Sequence, residues 1–421
     1  MEQHSTADAP RSPLVPIPRN GLRGSSGVLL FLMLTLSLAT VGIGLSWGQM
    51  TSRAALTAAE AVSGVSLVLL FLYTWRIAKR AKGVLPILLL VALLGAYIFD
   101  SFVPAATLLA LVCAVTLGAL ALSILTSKQA AWAPLAPIIA YVATLLLCRD
   151  AVGAVACLLP VPAAWALSYG TRRSAERENG PTRVSVICLT SLALVASLVG
   201  LAAVALYRTL GSLDPSTLTE ALDAARESVI TWITSMELPA ELPDEMRDLF
   251  SRESAEAMVN GTVNLLPGYI IAAVNLLAAV AQLLFQAALV AFGCGASLSD
   301  RVRVFRMSAV SCAVFTAAYL LALIGNGETS TLWGTVAHNM YLILLPGLAF
   351  AGMLRLVAGI TTRRMGCFSL LVLLFAPLMF LIAPPLLAAV EVIGRFGAFL
   401  GSKLRPPEDG TPPDGPPDDR P

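Results

Sequence analysis

The chain has 421 residues, of which 57% are hydrophobic and 13% charged, with a formal net charge of +2. That composition excludes an ordinary soluble domain, and the near-neutral balance carries no signature of nucleic-acid binding. The seven cysteines lie in or beside apolar runs without a CxxC or zinc-type pairing, so they read as small packing residues rather than a disulfide framework or metal site.

The first 26 residues are polar and carry Pro10, Pro13, Pro16 and Pro18, which predicts a disordered cytoplasmic tail. A long apolar run begins at Gly27. It ends in Leu45-Ser46-Trp47-Gly48, without the small-residue cleavage site of a signal peptide, and reads as an uncleaved first span. About eleven such stretches follow one another, at 27–48, 56–76, 84–99, 103–126, 130–148, 151–170, 184–207, 264–293, 308–325, 335–359 and 367–393. Each can cross a hydrocarbon core of about 30 Å as a helix. The runs are continuous and lack the period-2 alternation of a barrel. The predicted fold is therefore all-α, a polytopic transmembrane helix bundle of about 10–12 spans. Residues 27–207 make an N-terminal membrane bundle of about seven spans and 262–395 a C-terminal one of about four.

Tight hairpins are predicted at Asp100-Ser101-Phe102 and at Arg149-Asp150. Basic clusters alternate with short or acidic loops: Arg76 to Lys82, Lys128, Arg172 to Arg183, Arg301 to Arg306, and Arg363-Arg364. All fall on one side if the N-terminus is cytoplasmic. The final apolar run contains Pro377 and Pro384-Pro385, so it reads either as one span or as a hairpin. The first puts the proline-rich acidic tail, 396–421, outside. The second puts it inside, where Arg395, Lys403 and Arg405 are favoured.

Residues 208–261 are the one long polar insertion, with eleven acidic and four basic residues, and the charge pattern makes them extracytoplasmic. Asp214-Pro215 is a helix start. Leu218, Leu222, Ala225, Val229, Ile233 and Met236 then recur on one face. A second amphipathic helix follows with Met246, Leu249 and Phe250, and is expected to end at Asn260-Gly261. The pair is expected to lie on the outer mouth of the bundle; a lid or a partner-docking site is the functional alternative.

Polar residues inside a membrane helix are costly and mark candidate sites. Asn264, Asn275, Gln282 and Gln286 are spaced eleven, seven and four residues apart, which places them within about 40° on one helix face. They are candidates for lining a solute pathway, weighed against plain interhelical hydrogen bonding. Asp100, Arg149, Asp150, His338 and Asn339 are candidates for an outer rim, weighed against turn and structural roles. Glu60 and Glu391 read as interfacial. HExxH, P-loop and paired-glutamate metal motifs are missing from the sequence, so no catalytic role, cofactor or metal is expected. Energised transport would then need an ion gradient or a separate motor subunit.

Leu265-Leu266-Pro267 opening a span, Arg303-Val304-Phe305-Arg306 on the inner side and Glu391-Val392-Ile393-Gly394 in a last helix follow a long outer segment. This layout, over residues 25–405, resembles the YybS-like family of bacterial membrane proteins, whose N-terminal part is similar to the substrate-binding components of energy-coupling-factor transporters. The resemblance implies a protein of the bacterial cytoplasmic membrane that binds or passes a small solute, and it carries over no catalytic residue. The alternative is a membrane scaffold or regulator that binds another envelope protein. The lipid bilayer is the one partner common to both; a motor subunit belongs to the first and an envelope protein to the second.

Overall fold

A computed structural model describes residues 24–46, 53–81, 102–124, 134–176, 182–211, 214–236, 250–291, 305–324, 331–362, 379 and 382–404. Among them the regular structure is all helical. In chain order the helices are α1 (Gly24–Ser46), α2 (Arg53–Ala81), α3 (Phe102–Ile124), α4 (Leu135–Cys148), α5 (Ala151–Ala156), α6 (Pro160–Glu176), α7 (Arg183–Leu210), α8 (Pro215–Thr234), α9 (Arg252–Ala291), α10 (Ala309–Ile324), α11 (Leu332–Thr362) and α12 (Pro384–Leu404). The chain divides into two compact units, residues 1–306 and 307–421.

Among the described residues, five segments are long and apolar enough to cross a membrane: Val28–Ser46, Ala151–Ser174, Arg183–Leu210, Arg252–Leu289 and Leu332–Leu356. Shorter apolar helices accompany them at Ala55–Leu70, Leu109–Ser123, Leu135–Cys148 and Ala309–Ile324. The protein is thus a polytopic membrane helix bundle. The expected span at 84–99 and the hairpin residue Asp100 lie outside the described residues.

In the first unit α1 is a run of apolar residues interspersed with hydroxyls. Those hydroxyls bond back to their own helix: Thr35 to Phe31 O at 2.9 Å, Ser37 to Met33 O at 2.7 Å and Thr40 to Leu36 O at 2.8 Å. In a medium without water, this back-bonding satisfies the side chain and leaves the helix face smooth. A smooth face permits close packing. A Cβ on Gly42 would stand 2.7 Å from Gly153 O and 2.8 Å from Thr144 Cγ2, so α1 and α5 touch nearly backbone to backbone and the Thr144 side chain of α4 packs onto the same glycine.

Two apolar clusters form the core of this unit. One joins Leu34, Leu38, Leu70, Leu109, Leu117 and Ala140 across α1 to α4. The other joins Val112, Leu120, Leu167, Ile187, Phe285 and Leu289 across α3, α6, α7 and α9. Helix α9 packs against α2, α3 and α7, so its inner half is enclosed on several sides.

The outer part of α9 corrects the expected end at Asn260-Gly261. One helix of 40 residues runs from Arg252 to Ala291, through both residues and through Pro267. A mid-helix Gly costs only about 1 kcal/mol. Packing supplies more, since Ala255, Val259 and Val263 of α9 meet Ile230 and Ile233 of α8. Arg252 adds bonds of 2.8 Å to Glu227 and to Glu256. The start of α8 at Asp214-Pro215 is at the position read from sequence, with proline in the first turn but no side-chain cap bond from Asp214, and its packed edge is rotated. Ile230 is buried, whereas Leu222 and Val229 of the expected stripe are exposed. Met246 and Leu249 lie outside the described residues.

In the second unit α10 and α11 are antiparallel, with Phe315 and Tyr319 stacked on Tyr341 at 5.3 and 5.7 Å. Helix α12 runs parallel to α11. Gly352 abuts the Leu387 carbonyl, while Arg355, further along α11, bonds Glu391 at 2.7 Å and abuts Gly394. Residue numbers therefore rise together along both helices, and α12 runs on to Leu404, beyond the boundary at 395 drawn from sequence. Two parallel neighbours end on one side of the bilayer. Single cysteines at positions 364 and 410 of a cysteine-free protein should therefore share one labelling behaviour in intact cells. Labelling of one of these positions without the other would refute the parallel arrangement.

Candidate functional site

Among the described residues, three clusters of bonded polar side chains stand out, two in the first unit and one in the second. The first lies between α7 and α9, which run antiparallel. Thr182 caps α7 by accepting from Ser185 N–H, and this sets Arg183 on the first turn, facing inward. Arg183 is only 6% exposed, and its Nε donates to Gln282 Oε1 at 2.9 Å. Its guanidinium also lies 6.0 Å from the ring centre of Phe305. Two turns along, Ser191 Oγ donates to Asn275 Oδ1 at 2.5 Å.

The structure thus brings Asn275 and Gln282 together with α7. Asn264 and Gln286 lie on the same side of α9, both half-buried and both with further interactions. Gln282 is fully buried, and among the described residues its Nε2 donor has no hydrogen-bond partner. Ser63, Ser66 and Tyr73 of α2, which packs against α9, bury hydroxyls that likewise lack a partner there. A buried amide donor without an acceptor costs about 1–3 kcal/mol. Such a group calls for a water or a ligand. The partner Arg183 was legible from sequence only as one of several loop arginines, because nothing local links it to a residue 99 positions away.

The second place is the α4–α5 turn. Arg149 adopts φ 52°, the left-handed conformation that ends α4, and its side chain is exposed. Asp150 then caps α5, accepting from Val152 N–H at 3.1 Å and Gly153 N–H at 2.9 Å. It also accepts from Ser46 Oγ of α1 at 3.4 Å and pairs with Arg208 of α7. Burial by itself would push this carboxyl up. The N–H donors of Gly153 and Val152 and the Arg208 guanidinium outweigh it and hold the group below the usual carboxylate range. Asp150 is a fastener of three helices at one end of the bundle.

The third place was missed from sequence. Glu391, read there as interfacial, is 3% exposed in the middle of α12. It accepts from Arg355 Nε at 2.7 Å and from Arg395 Nε at 2.9 Å. Arg395 follows it by one helical turn, and that local i,i+4 pair was the available signal. The remaining rim candidates among the described residues, His338 and Asn339, lie on α11. His338 Nδ1 lies 2.8 Å from Gly334 O, and Asn339 Nδ2 donates to Thr335 O at 2.9 Å, so each bonds its own helix. Glu60 is exposed on α2. Among the described residues no group of three His, Cys, Asp or Glu is placed to hold a metal ion.

No curated protein and no solved structure matches the chain. Residues 97–396 match a family described as a predicted membrane protein (DUF2232). They take in all three places, from Asp150 through the α7–α9 pair to Glu391. With the match covering well over half of its length, the chain belongs to the DUF2232 family of predicted polytopic membrane proteins.

Proposed function

We infer that this protein is a solute-binding or permease-type component of the bacterial cytoplasmic membrane, with a binding rather than a catalytic role and a cytoplasmic N-terminus. Its site is the α7–α9 seam, and its ligand is a small solute with an anionic or acceptor-rich group. The observation that carries this reading is the buried Gln282 amide, whose Nε2 donor has no partner among the described residues and stands beside the buried Arg183. A donor held ready in a low-dielectric interior favours an incoming acceptor, which in turn relieves its desolvation. The YybS-like resemblance supports the same reading, with a separate motor subunit supplying energy.

The test is thermal unfolding of the purified full-length protein across a panel of small carboxylates and phosphates, with mass spectrometry of co-purifying molecules. At least one anion should raise the unfolding temperature of the wild type but not of Gln282→Leu, which should itself fold. A panel without effect, combined with Gln282→Leu melting above the wild type, would show that the amide is merely frustrated and would defeat the reading.

A second reading has its own support. Helix α8 leaves Leu222, Val229 and Trp232 exposed, at 46, 46 and 63%. An apolar face of this kind on an extramembrane helix suits a scaffold that docks an envelope protein. Loss of a cross-linked partner on Trp232→Glu, with anion stabilisation never seen, would favour it.

A further inference from the structure

Helices α1, α3, α4 and α6 of the first unit enclose a cavity of about 260 Å³. Leu34, Leu38, Ala114, Gly118, Pro137 and Val161 are among its lining, and every lining residue is apolar. It is separate from the α7–α9 seam, whose polar residues take no part in it. Its walls belong to membrane-embedded helices, so the medium at its mouth is lipid rather than water. Pro134 and Val161 on the rim are exposed, so the space is reached from the side of the bundle.

What could fill it is indicated by α6. At 100° per residue Val161, Trp165, Ser168 and Arg172 share one stripe of that helix. Ser168 is tied across to Ser123 of α3 at 3.1 Å, which closes the stripe's inner edge. Trp165 is 57% exposed and stacks on Tyr169 at 5.1 Å, and the Arg173 guanidinium lies 5.4 Å from the Tyr169 ring centre. From Val161 to Arg172 the rise is about 16 Å, close to half of a hydrocarbon core of about 30 Å. Two arginines therefore stand one leaflet's depth from an apolar cavity, with an aromatic pair between them. Aromatic and basic side chains in this order mark the headgroup boundary.

We propose that the cavity holds one acyl chain of an anionic phospholipid whose phosphate rests on Arg172 and Arg173. The chain fills space that no side chain reaches. The phosphate accepts hydrogen bonds from guanidinium groups in a region of reduced dielectric. The site is independent of any solute at Gln282.

The test uses full-length protein in phosphatidylcholine vesicles, carrying a trace of photoreactive phosphatidylglycerol or photoreactive phosphatidylcholine with the reactive group on the acyl chain. The phosphatidylglycerol probe should label peptides from α1, α3, α4 and α6 several-fold more than the phosphatidylcholine probe. Val161→Trp, which fills the mouth, should cut that labelling several-fold. Leu122→Trp, from a second wall, serves if the first variant fails to fold. The double variant Arg172→Gln with Arg173→Gln should erase the preference while leaving some acyl labelling. Equal labelling by both probes in every protein would mean annular lipid only and would overturn the proposal. So would efficient cross-linking of two chains through a cysteine at position 161, which would assign the cavity to a second copy.

Discussion

Glu391→Leu is expected to lower the stability of the second unit by about 2 kcal/mol. The carboxylate is buried and accepts from both Arg355 and Arg395. Truncation leaves two guanidinium groups facing a space that had been arranged for their counter-charge. Breaking a fully buried pair costs about 3–5 kcal/mol. The side chains of Arg355 and Arg395 are 38 and 25% exposed, however, so part of that penalty is screened. Glu391→Gln keeps two polar atoms in place and should lose markedly less. Thermal unfolding in detergent, read by limited proteolysis near Leu404, distinguishes these variants. An unchanged profile for Glu391→Leu would mean that the cluster contributes nothing to the packing of α11 on α12.

Asp150→Ala should cost about 1–2 kcal/mol, most of it from the lost helix cap. The pair with Arg208 adds little, because that arginine is 52% exposed. The effect should depend on pH. The folded carboxyl titrates below its usual range, so its contribution is complete above the unfolded value of about 4 and disappears as pH falls through the folded value. Between about pH 7 and pH 5 the difference between wild type and Asp150→Ala should therefore be constant, and it should shrink only below about pH 4. A difference that already narrows between pH 7 and pH 5 would contradict the depressed titration. Asp150→Asn should keep part of the cap and lose the acid dependence.

Both substitutions fall where sequence and structure part company in an instructive way. The Arg149-Asp150 turn was legible as a hairpin because a polar pair between two apolar runs has few alternatives. Its geometry then followed from local chemistry, with a left-handed residue ending one helix and an aspartate capping the next. That Asp150 also meets Ser46 and Arg208 was not legible, since those contacts depend on how α1 and α7 are placed around the turn. Glu391 shows the same limit from the other side. Its position near the end of an apolar run suggested an interface, whereas α12 begins at Pro384 and carries it into the middle of a packed helix.

By itself the amino-acid sequence determined the membrane-spanning helical class, the start of α8 at Asp214-Pro215 and the polar stripe of α9. Each rests on composition, a first-turn proline or a 100° periodicity, all of which act within a few turns of chain. Tertiary structure decided which neighbour each face meets: Arg183 against Gln282, Ser191 against Asn275, Ile230 of α8 against Ala255 and Val259 of α9, and α12 parallel to α11. The reason is physical. In a bilayer, the lipid-facing and the protein-facing sides of a helix are both apolar, so hydrophobic periodicity loses the power to tell inside from outside that it has in water. The polar contacts and close glycine approaches that break this degeneracy join residues far apart in the chain, and they exist only once the helices have packed.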